Sequence, residues 1–461
     1  MALLTLLVAV ALGAALALIA MANPRSSDLK RDEATTAAMA KAKEALIAYA
    51  ATYQDTHPGQ VPGYLPCPDS GTSGIGGEGA AEGTCGAANV TVIGRLPWKT
   101  LGIEPPRDGS GECLWYAVSG TFKNNPKTDV MNWDTLGQIE VYGPDGITLL
   151  AGSQPESRAA AVIFAPGVAL GQDRQDDNPG TALTPVCSED YAAIHFLEPV
   201  GAINNATPNA AAGAVTKVID GDRSDSFNDR LLVIAPAEIF AAVEKRADFS
   251  QKLENLAQNA ALCLVEYVKS NTNFSAGDHR LPWTAPAALA AYTASGYWDD
   301  AAGSLSGRFP YQVDTTRTLV SNASFSTLGA ATCPFAAGNT DENWWKNWKD
   351  HLFYALGADF KPTASSTSPV ACGSGCLSVN GVGGQVAVVM FSGKRLAGQT
   401  RSNDADKGNL GNYLEGRNLT NHPNASGNSN YERVTPSTTN FNDVLWCVGL
   451  GSGNPVATAC P

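Results

Sequence analysis

Three pairs of residues in this chain carry side chains that could do chemistry, and each pair recurs in the two halves of the sequence. Arg174 and Arg401 could bind a carboxylate or phosphate, Asp229 and Asp443 could act as bases, and Gln172 and Gln399 could polarise a carbonyl. The competing reading is structural. Gln and Arg can close a turn after a buried strand, and Asn-Asp can cap the start of the next one. Presence in both halves favours the structural reading, because a fold needs its corners twice while an active site seldom does. The five histidines, His57, His195, His279, His351 and His422, form no H-E-x-x-H motif. No G-x-S-x-G elbow is present, and the GIGGEG run at 74–79 lacks the strand-then-helix context of a phosphate loop. No catalytic residue and no enzymatic activity are expected.

Ten cysteines indicate an oxidising compartment. The first half holds Cys67, Cys85, Cys113 and Cys187, and the second holds Cys263, Cys333, Cys372, Cys376, Cys447 and Cys460, so each count is even. Short-range candidates are Cys67 with Cys85, Cys372 with Cys376, and Cys447 with Cys460, although spacing alone does not fix connectivity. A zinc site at Cys372-Gly-Ser-Gly-Cys376 is the alternative, but no second Cys/His pair lies at finger-like spacing. The acidic stretches at 173–178, 220–229 and 403–409 have oxygens that suit calcium, yet none follows the EF-hand spacing. Solvated loops are the preferred reading, with no cofactor expected and calcium the one candidate ion. Trp98 and Trp283 are read as plugs between a sheet and its helix, the alternative being sugar-stacking platforms. The cluster Trp344, Trp345, Trp348, Phe353 and Tyr354 is read as the core of an amphipathic helix, with a ligand or partner surface as its alternative. The sequon Asn418-Leu-Thr420 carries little weight in an Asn-rich chain.

The elements that must position these residues are written twice. AKEALIAYA, Arg95-Leu-Pro-Trp98, Glu112-Cys-Leu-Trp-Tyr-Ala117, FAPGVALGQDR (164–174), His195-Phe-Leu-Glu198 and Phe227-Asn-Asp229 run in order through the first half. AALCLVEYV, Arg280-Leu-Pro-Trp283, Asp350-His-Leu-Phe-Tyr-Ala355, FSGKRLAGQTR (391–401), Tyr413-Leu-Glu415 and Phe441-Asn-Asp443 follow in the same order in the second. A repeat this long indicates two tandem domains and not a solenoid. Each copy reads as a helix followed by strands: L-[WF]-Y-A, AAAVIFAPG or GQVAVVMFSG, and RLLVIAP or VLWCVG. An antiparallel sheet packed on a helix is the α+β arrangement this implies.

The formal net charge of -13 argues against nucleic-acid binding, which rests on clustered Lys and Arg. Residues 1–22 carry no charge. At roughly 1.5 Å per residue they could span the hydrocarbon core as a helix. No basic residue precedes them, unlike a secretory signal, and Arg25, Lys30 and Arg31 follow. The positive-inside rule would put that following side in the cytoplasm, in conflict with the cysteines; a removed basic leader before Met1 would resolve the conflict. Beyond Pro24 a second run places Met39, Ala42, Leu46, Tyr49 and Tyr53 at three- and four-residue intervals, one apolar stripe on a polar helix. The two runs together would make a rod about 80 Å long.

MALLTLLVAVALGAALALIA resembles the mature N-terminus of type IV pilins and type II secretion pseudopilins: Met1, Leu3, Leu4, Leu6 and Val8 in an apolar run, a small-residue break near Gly13, and Pro24. The likeness covers about fifty residues. It implies cleavage of a leader by a prepilin peptidase, methylation of the new N-terminus and bundling of the apolar half-helices into a filament core. Thr5 departs from the family, which usually carries a glutamate there; subunits lacking it include the pseudopilin at the filament tip. The alanine-rich helix ending in IAYA, with LPCPD, GRLPW and GE-x-LWYAVS, is also similar to a group of large bacterial prepilin-type proteins.

The expected fold is α+β: a long N-terminal hydrophobic and amphipathic helix, then two tandem pilin-like domains, each an antiparallel sheet packed on a helix. The boundaries expected are 1–30 for the assembly or transmembrane helix, 31–248 for the first domain, its helix 31–54 continuous with the N-terminal one, and 249–461 for the second. The expected function is that of a structural subunit, shaft or tip, of a type IV pilus-like or type II secretion pseudopilus filament. Its partners would be copies of itself or related pilins, the prepilin peptidase and the inner-membrane assembly machinery. It would reside in the inner membrane before assembly and then in an extracellular or periplasmic filament. The alternative is a membrane-anchored surface adhesin that never polymerises.

Overall fold

A computed structural model describes residues 24–72, 77–128, 130–174, 186–270, 279–293, 296–299, 304–310, 312–313, 323–324, 333–336, 338–339, 341–362, 371–422, 429–434 and 440–461. The chain is mixed α+β, with several antiparallel sheets and a long helix near its start. It divides into two compact units. The first takes the described residues up to Ala50, Tyr64–Thr128 and Leu136–Ile239; the second takes Ala51–Gly63, 130–135 and Phe240–Pro461. The second unit is therefore discontinuous, using two short segments from within the expected first domain.

In the first unit, helix α1 (Pro24–Thr56) precedes strands β1 (Val92–Arg95), β2 (Trp115–Val118), β3 (Ile139–Tyr142), β4 (Leu149–Ala151), β5 (Ala161–Ala165), β6 (Pro199–Val200), β7 (Ile203–Asn204), β8 (Thr216–Ile219) and β9 (Arg230–Ile234). The main sheet is antiparallel, in the order β1-β2-β5-β9. A smaller sheet, β4-β3-β8, pairs β3 and β8 in parallel. Every β5 side chain is buried, as a strand covered on both faces requires. On one face, Trp115, Ala117, Val162 and Phe164 pack with Ile139, Val141 and Val218 of the smaller sheet. On α1, the side chains of Met39, Ala42, Leu46 and Ala50 are buried, and Lys43 fastens the helix to β9 by donating to the Val233 carbonyl at 2.8 Å. Ala50 takes the core position where the stripe reading placed Tyr49, which is half-buried and accepts from Asn124.

The second unit repeats this plan. After α2 (Pro236–Val243) come α3 (Ala247–Ser270), β10 (Ser306–Arg308), β11 (Gln312–Val313), β12 (Ala323–Ser324), α4 (Glu342–Trp348), β13 (Leu352–Leu356), β14 (Leu377–Val379), β15 (Val382–Gln385), β16 (Ala387–Phe391), α5 (Asp404–Gly408), α6 (Gly416–Asn421), β17 (Asn430–Tyr431), β18 (Val444–Gly451) and β19 (Asn454–Ala459). Its main sheet runs β10-β13-β16-β18-β19, and in its smaller sheet, β15-β14-β17, strands β14 and β17 again pair in parallel. Helix α3 packs on β16, β18 and β19.

Register makes the likeness residue by residue. Phe164 stands opposite Leu231 and Val162 opposite Val233; Met390 stands opposite Leu445 and Val388 opposite Cys447. The second core, Phe353, Ala355, Leu377, Val379, Val388, Met390 and Tyr431, matches the first position for position.

The register also corrects the pairing of motifs. Gly94-Arg95 lies opposite Trp115-Tyr116, and its counterpart is Gly307-Arg308 opposite Phe353-Tyr354, not Arg280. The segment Arg280-Leu-Pro-Trp283 corresponds instead to Tyr64-Leu-Pro-Cys67. The Tyr116 hydroxyl donates to the Pro66 carbonyl at 3.3 Å, and the Tyr354 hydroxyl to the Pro282 carbonyl at 3.1 Å.

Candidate functional site

The repeated Gln, Arg and Asp residues meet in one buried corner per unit. In the first unit, β5 ends at Ala165 and the chain turns at Gly167, whose φ is +67°. A side chain there would meet the Asn228 carboxamide at 2.9 Å; at Gly393 the same intrusion would meet Asn442 at 2.4 Å. The turn lets Gln172 fold back, its Oε1 accepting from the Leu170 amide while its Nε2 donates to Glu198 at 2.7 Å. Glu198 also accepts from the Asn228 amide at 3.1 Å, and its own amide donates to Asp229 Oδ2 at 3.0 Å. Asn205 adds a second donor to that oxygen at 2.9 Å. Arg174 closes the turn through the His195, Phe196 and Gly167 carbonyls.

The second corner has the same wiring. Gln399 accepts from the Leu396 amide and donates to Glu415 at 3.0 Å. Glu415 accepts from the Asn442 amide at 3.1 Å and donates its own amide to Asp443 Oδ2 at 3.2 Å, where Asn418 also donates at 3.0 Å. Arg401 reaches the Asn412 and Gly393 carbonyls. Burial pushes the carboxyls of Asp229 and Asp443 well above the ordinary aspartate range, and the adjacent Glu198 and Glu415 add to the effect.

Each corner stacks a ring against two guanidiniums. Phe196 lies 4.8 Å from Arg95 and 5.1 Å from Arg174; Tyr413 lies 4.9 Å from Arg308 and 4.2 Å from Arg401. Burial suits arginine here, since its delocalised charge is weakly hydrated and its planar face packs on rings. The Asn-Asp pairs do not cap their own strands, as the sequence reading had it: Asp229 reaches back to Glu198, and Asp443 to Glu415. The part played by Glu198 and Glu415 is legible only as a shared Leu-Glu at the end of one motif.

A second polar cluster belongs to the second unit alone. Asp134 lies 3.3 Å from Arg401, 3.3 Å from Arg395 and 3.2 Å from His351 Nε2. Burial raises its pKa, but Arg401, His351 and Arg395 outweigh that and hold it well below the usual carboxylate range. Ser392 Oγ lies 3.2 Å from His351 Nδ1, so Ser392, His351 and Asp134 stand in the order of a nucleophile, base and acid. Ser392 and His351 are fully buried, and the same Nδ1 faces the Ser392 carbonyl at 3.0 Å. Arg401 Nη1 lies 3.3 Å from that Nδ1 as well, and with both side chains closed off from solvent the contact is part of the packing of this cluster.

The remaining sequence candidates are placed as follows. Trp98 is half-buried against Gly79, in the loop closed by Cys67 and Cys85, and so does not plug sheet against helix; Trp283 is also half-buried. Trp344, Trp345, Trp348, Phe353 and Tyr354 are all buried, which removes them as a partner surface. Asn418 of the sequon is fully buried and committed to Asp443. All ten cysteines pair: Cys67–Cys85, Cys113–Cys187, Cys263–Cys333, Cys372–Cys376 and Cys447–Cys460. Among the described residues no cluster of His, Cys, Asp or Glu has the form of a metal site, and no helix is long and apolar enough to cross a membrane. Met1, Leu3, Leu4, Thr5, Leu6, Val8 and Gly13 lie outside the described residues, and Pro24 is the first residue of α1.

Compared with known protein families, characterised proteins and solved structures, the chain finds no match.

Proposed function

We propose that this chain is a structural subunit, shaft or tip, of a type IV pilus-like or type II secretion pseudopilus filament, that it assembles through its N-terminal helix, and that its two units are duplicated pilin-like heads. The observation that carries the proposal is the sequence continuity of the uncharged residues 1–22 with α1, whose next apolar stripe is buried in the first unit. One helix then serves two purposes: its second half is the spine of a head, and its first half is left to pack with other subunits. Transfer of that half from water into a helical bundle is favourable by roughly 25 cal/mol per Å². In the membrane that gain is mostly absent and close packing decides, for which Gly13, Ala14, Ala15 and Ala17 suit. The matched cores and corners support two heads from one ancestral unit.

The chain's partners on this reading are its own copies or related pilins, a prepilin peptidase and an inner-membrane assembly machinery. It acts by assembly and not by catalysis, passing from the inner membrane into an extracellular or periplasmic filament. Leu6→Asp or Val8→Asp tests this. Either should abolish incorporation into sheared filaments while both heads keep their disulfides and their cooperative unfolding. Filaments that retain the variant at the wild-type level would overturn the proposal.

A further inference from the structure

We propose that Asp229 and Asp443 are neutral carboxylic acids in the folded chain, each sharing one proton with its neighbouring glutamate, and that these two acid pairs are pH-sensitive clasps on strands β9 and β18. The donor count leads there. Both oxygens of Glu198 are occupied, by Gln172 Nε2 at 2.7 Å and the Asn228 amide at 3.1 Å. Asp229 Oδ2 takes the Glu198 amide and Asn205, while Asp229 Oδ1 is buried and receives no N–H. The Glu198 carboxylate is held close by: the Glu198 amide binds Asp229 Oδ2, and the Glu198 side chain accepts from the amide of Asn228, the residue before Asp229. Two carboxylates tied to the same short stretch of buried backbone repel, and one of them is driven to keep its proton. One proton on Oδ1 turns the repulsion into an O–H···O bond and fills the unmet position.

The second corner reaches the same state by a different route. Glu415 is filled by Gln399 and the Asn442 amide, Asp443 Oδ2 by the Glu415 amide and Asn418, and Asp443 Oδ1 is again buried without a donor beside Glu415. The extra asparagine, Asn205, directly follows β7 in one unit, seven positions beyond Glu198, and Asn418 comes from α6 in the other, three positions beyond Glu415. The carboxyl geometry is thus kept while the chain that completes it differs.

In the first corner Arg174 offers a cation to the glutamate, and among the described residues no ion pair reaches Asp229 or Asp443. Arg174 is 3.3 Å from Glu112 and 3.8 Å from Glu198, and Arg230 turns to Asp32. In the second unit Arg401 is drawn to Asp134 beside His351, while Glu254 and Arg433 border a cavity of about 190 Å³ together with Asp443. The sign follows from the retained proton. A carboxyl with a folded pKa above its unfolded one contributes stability that is full below about pH 4. That contribution falls as pH rises, by about tenfold in the folding constant per pH unit per pair, until the folded pKa is passed. In the second unit burial pushes His422 down to about 4 and also lowers His351, and both effects run oppositely below the ordinary histidine value of 6.5. The aspartate contribution should therefore weaken the first unit as pH rises above about 4, and in the second unit the two histidines offset it below about pH 6.5.

The test is infrared spectroscopy of the full chain at pH 7 together with urea unfolding from pH 4 to 9, on the wild type, Asp229→Asn, Asp443→Asn and the double variant. The amide keeps the shape and can donate to the glutamate without a proton. We expect a protonated-carboxyl band at pH 7 that halves in each single variant and vanishes in the double, and a pH dependence of stability reduced by about one proton per substitution. No such band in the wild type, or an unchanged slope in Asp229→Asn, would overturn the proposal. If a variant fails to fold, the wild-type band alone decides.

Discussion

The Glu198 amide donates to Asp229 Oδ2 at 3.0 Å across 31 residues, and the Glu415 amide donates to Asp443 Oδ2 at 3.2 Å across 28. Each bond ties a glutamate well beyond the central strand's turn to the residue just before β9 or β18. The glutamate is the hub, since its side chain accepts from both the Gln and the Asn arms. Glu198→Ala and Glu415→Ala should each cost about 3 kcal/mol, because buried donors lose their acceptor. Urea unfolding at neutral pH measures this, and a loss under about 0.5 kcal/mol would show the corners to be dispensable.

Asp134 neutralises a buried cluster of Arg401, Arg395 and His351. Asp134→Ala should destabilise the chain by about 3–5 kcal/mol, the range for removing one partner of a buried ion pair. Its depressed folded pKa sets the direction of the pH effect. The stability it adds is present above the unfolded aspartate value of about 3.9 and is lost as pH falls through the folded value. Acid unfolding of the wild type should show this loss, and the Ala variant should lack it.

Gly94 and Gly307 each lie opposite a buried tyrosine, Tyr116 and Tyr354. A Cβ at Gly94 would come within 2.6 Å of the Asp69 carbonyl, and at Gly307 within 2.0 Å of the Ala285 carbonyl. Both neighbours are backbone and cannot swing aside. Ala at either position should lower stability by about 2 kcal/mol or more, as overpacking does. Ala at Gly102 or Gly398, where nothing lies within 4 Å but φ is positive, should cost less, about 1 kcal/mol.

Much of this was legible before the fold. The strands at AAAVIFAPG and GQVAVVMFSG are continuous apolar runs because both faces of β5 and β16 are covered, whereas RLLVIAP and VLWCVG read as strands although β9 and β18 are only partly buried. The helix stripe at Met39, Ala42 and Leu46 follows helical period. What misled was the literal repeat of Arg-Leu-Pro-Trp. Two different segments share those letters, whereas the true counterpart of Gly94-Arg95 is Gly307-Arg308 followed by Phe309-Pro310. The glutamate hub was hidden for another reason: its partners lie tens of residues away, and local spacing carries no trace of them. Nor could composition show that residues 51–63 and 130–135 complete the second unit.

The disulfides should differ in worth. Cys113–Cys187 and Cys263–Cys333 span 74 and 70 residues, whereas Cys372–Cys376 spans 4. On the chain-entropy model, replacing either long-range pair by Ala should cost about 4 kcal/mol, against about 2 kcal/mol for the short one. Thermal unfolding of the three double variants ranks them, and equal losses would count against that model here.

The most direct measurement is recovery of the chain from cells by shearing, without detergent, followed by counting copies per filament. The filament proposal expects the chain in sheared filaments, with hundreds of copies for a shaft subunit or one for a tip subunit, and its loss from them in Leu6→Asp. Recovery solely as a detergent-extracted membrane monomer would contradict it and would favour an anchored adhesin.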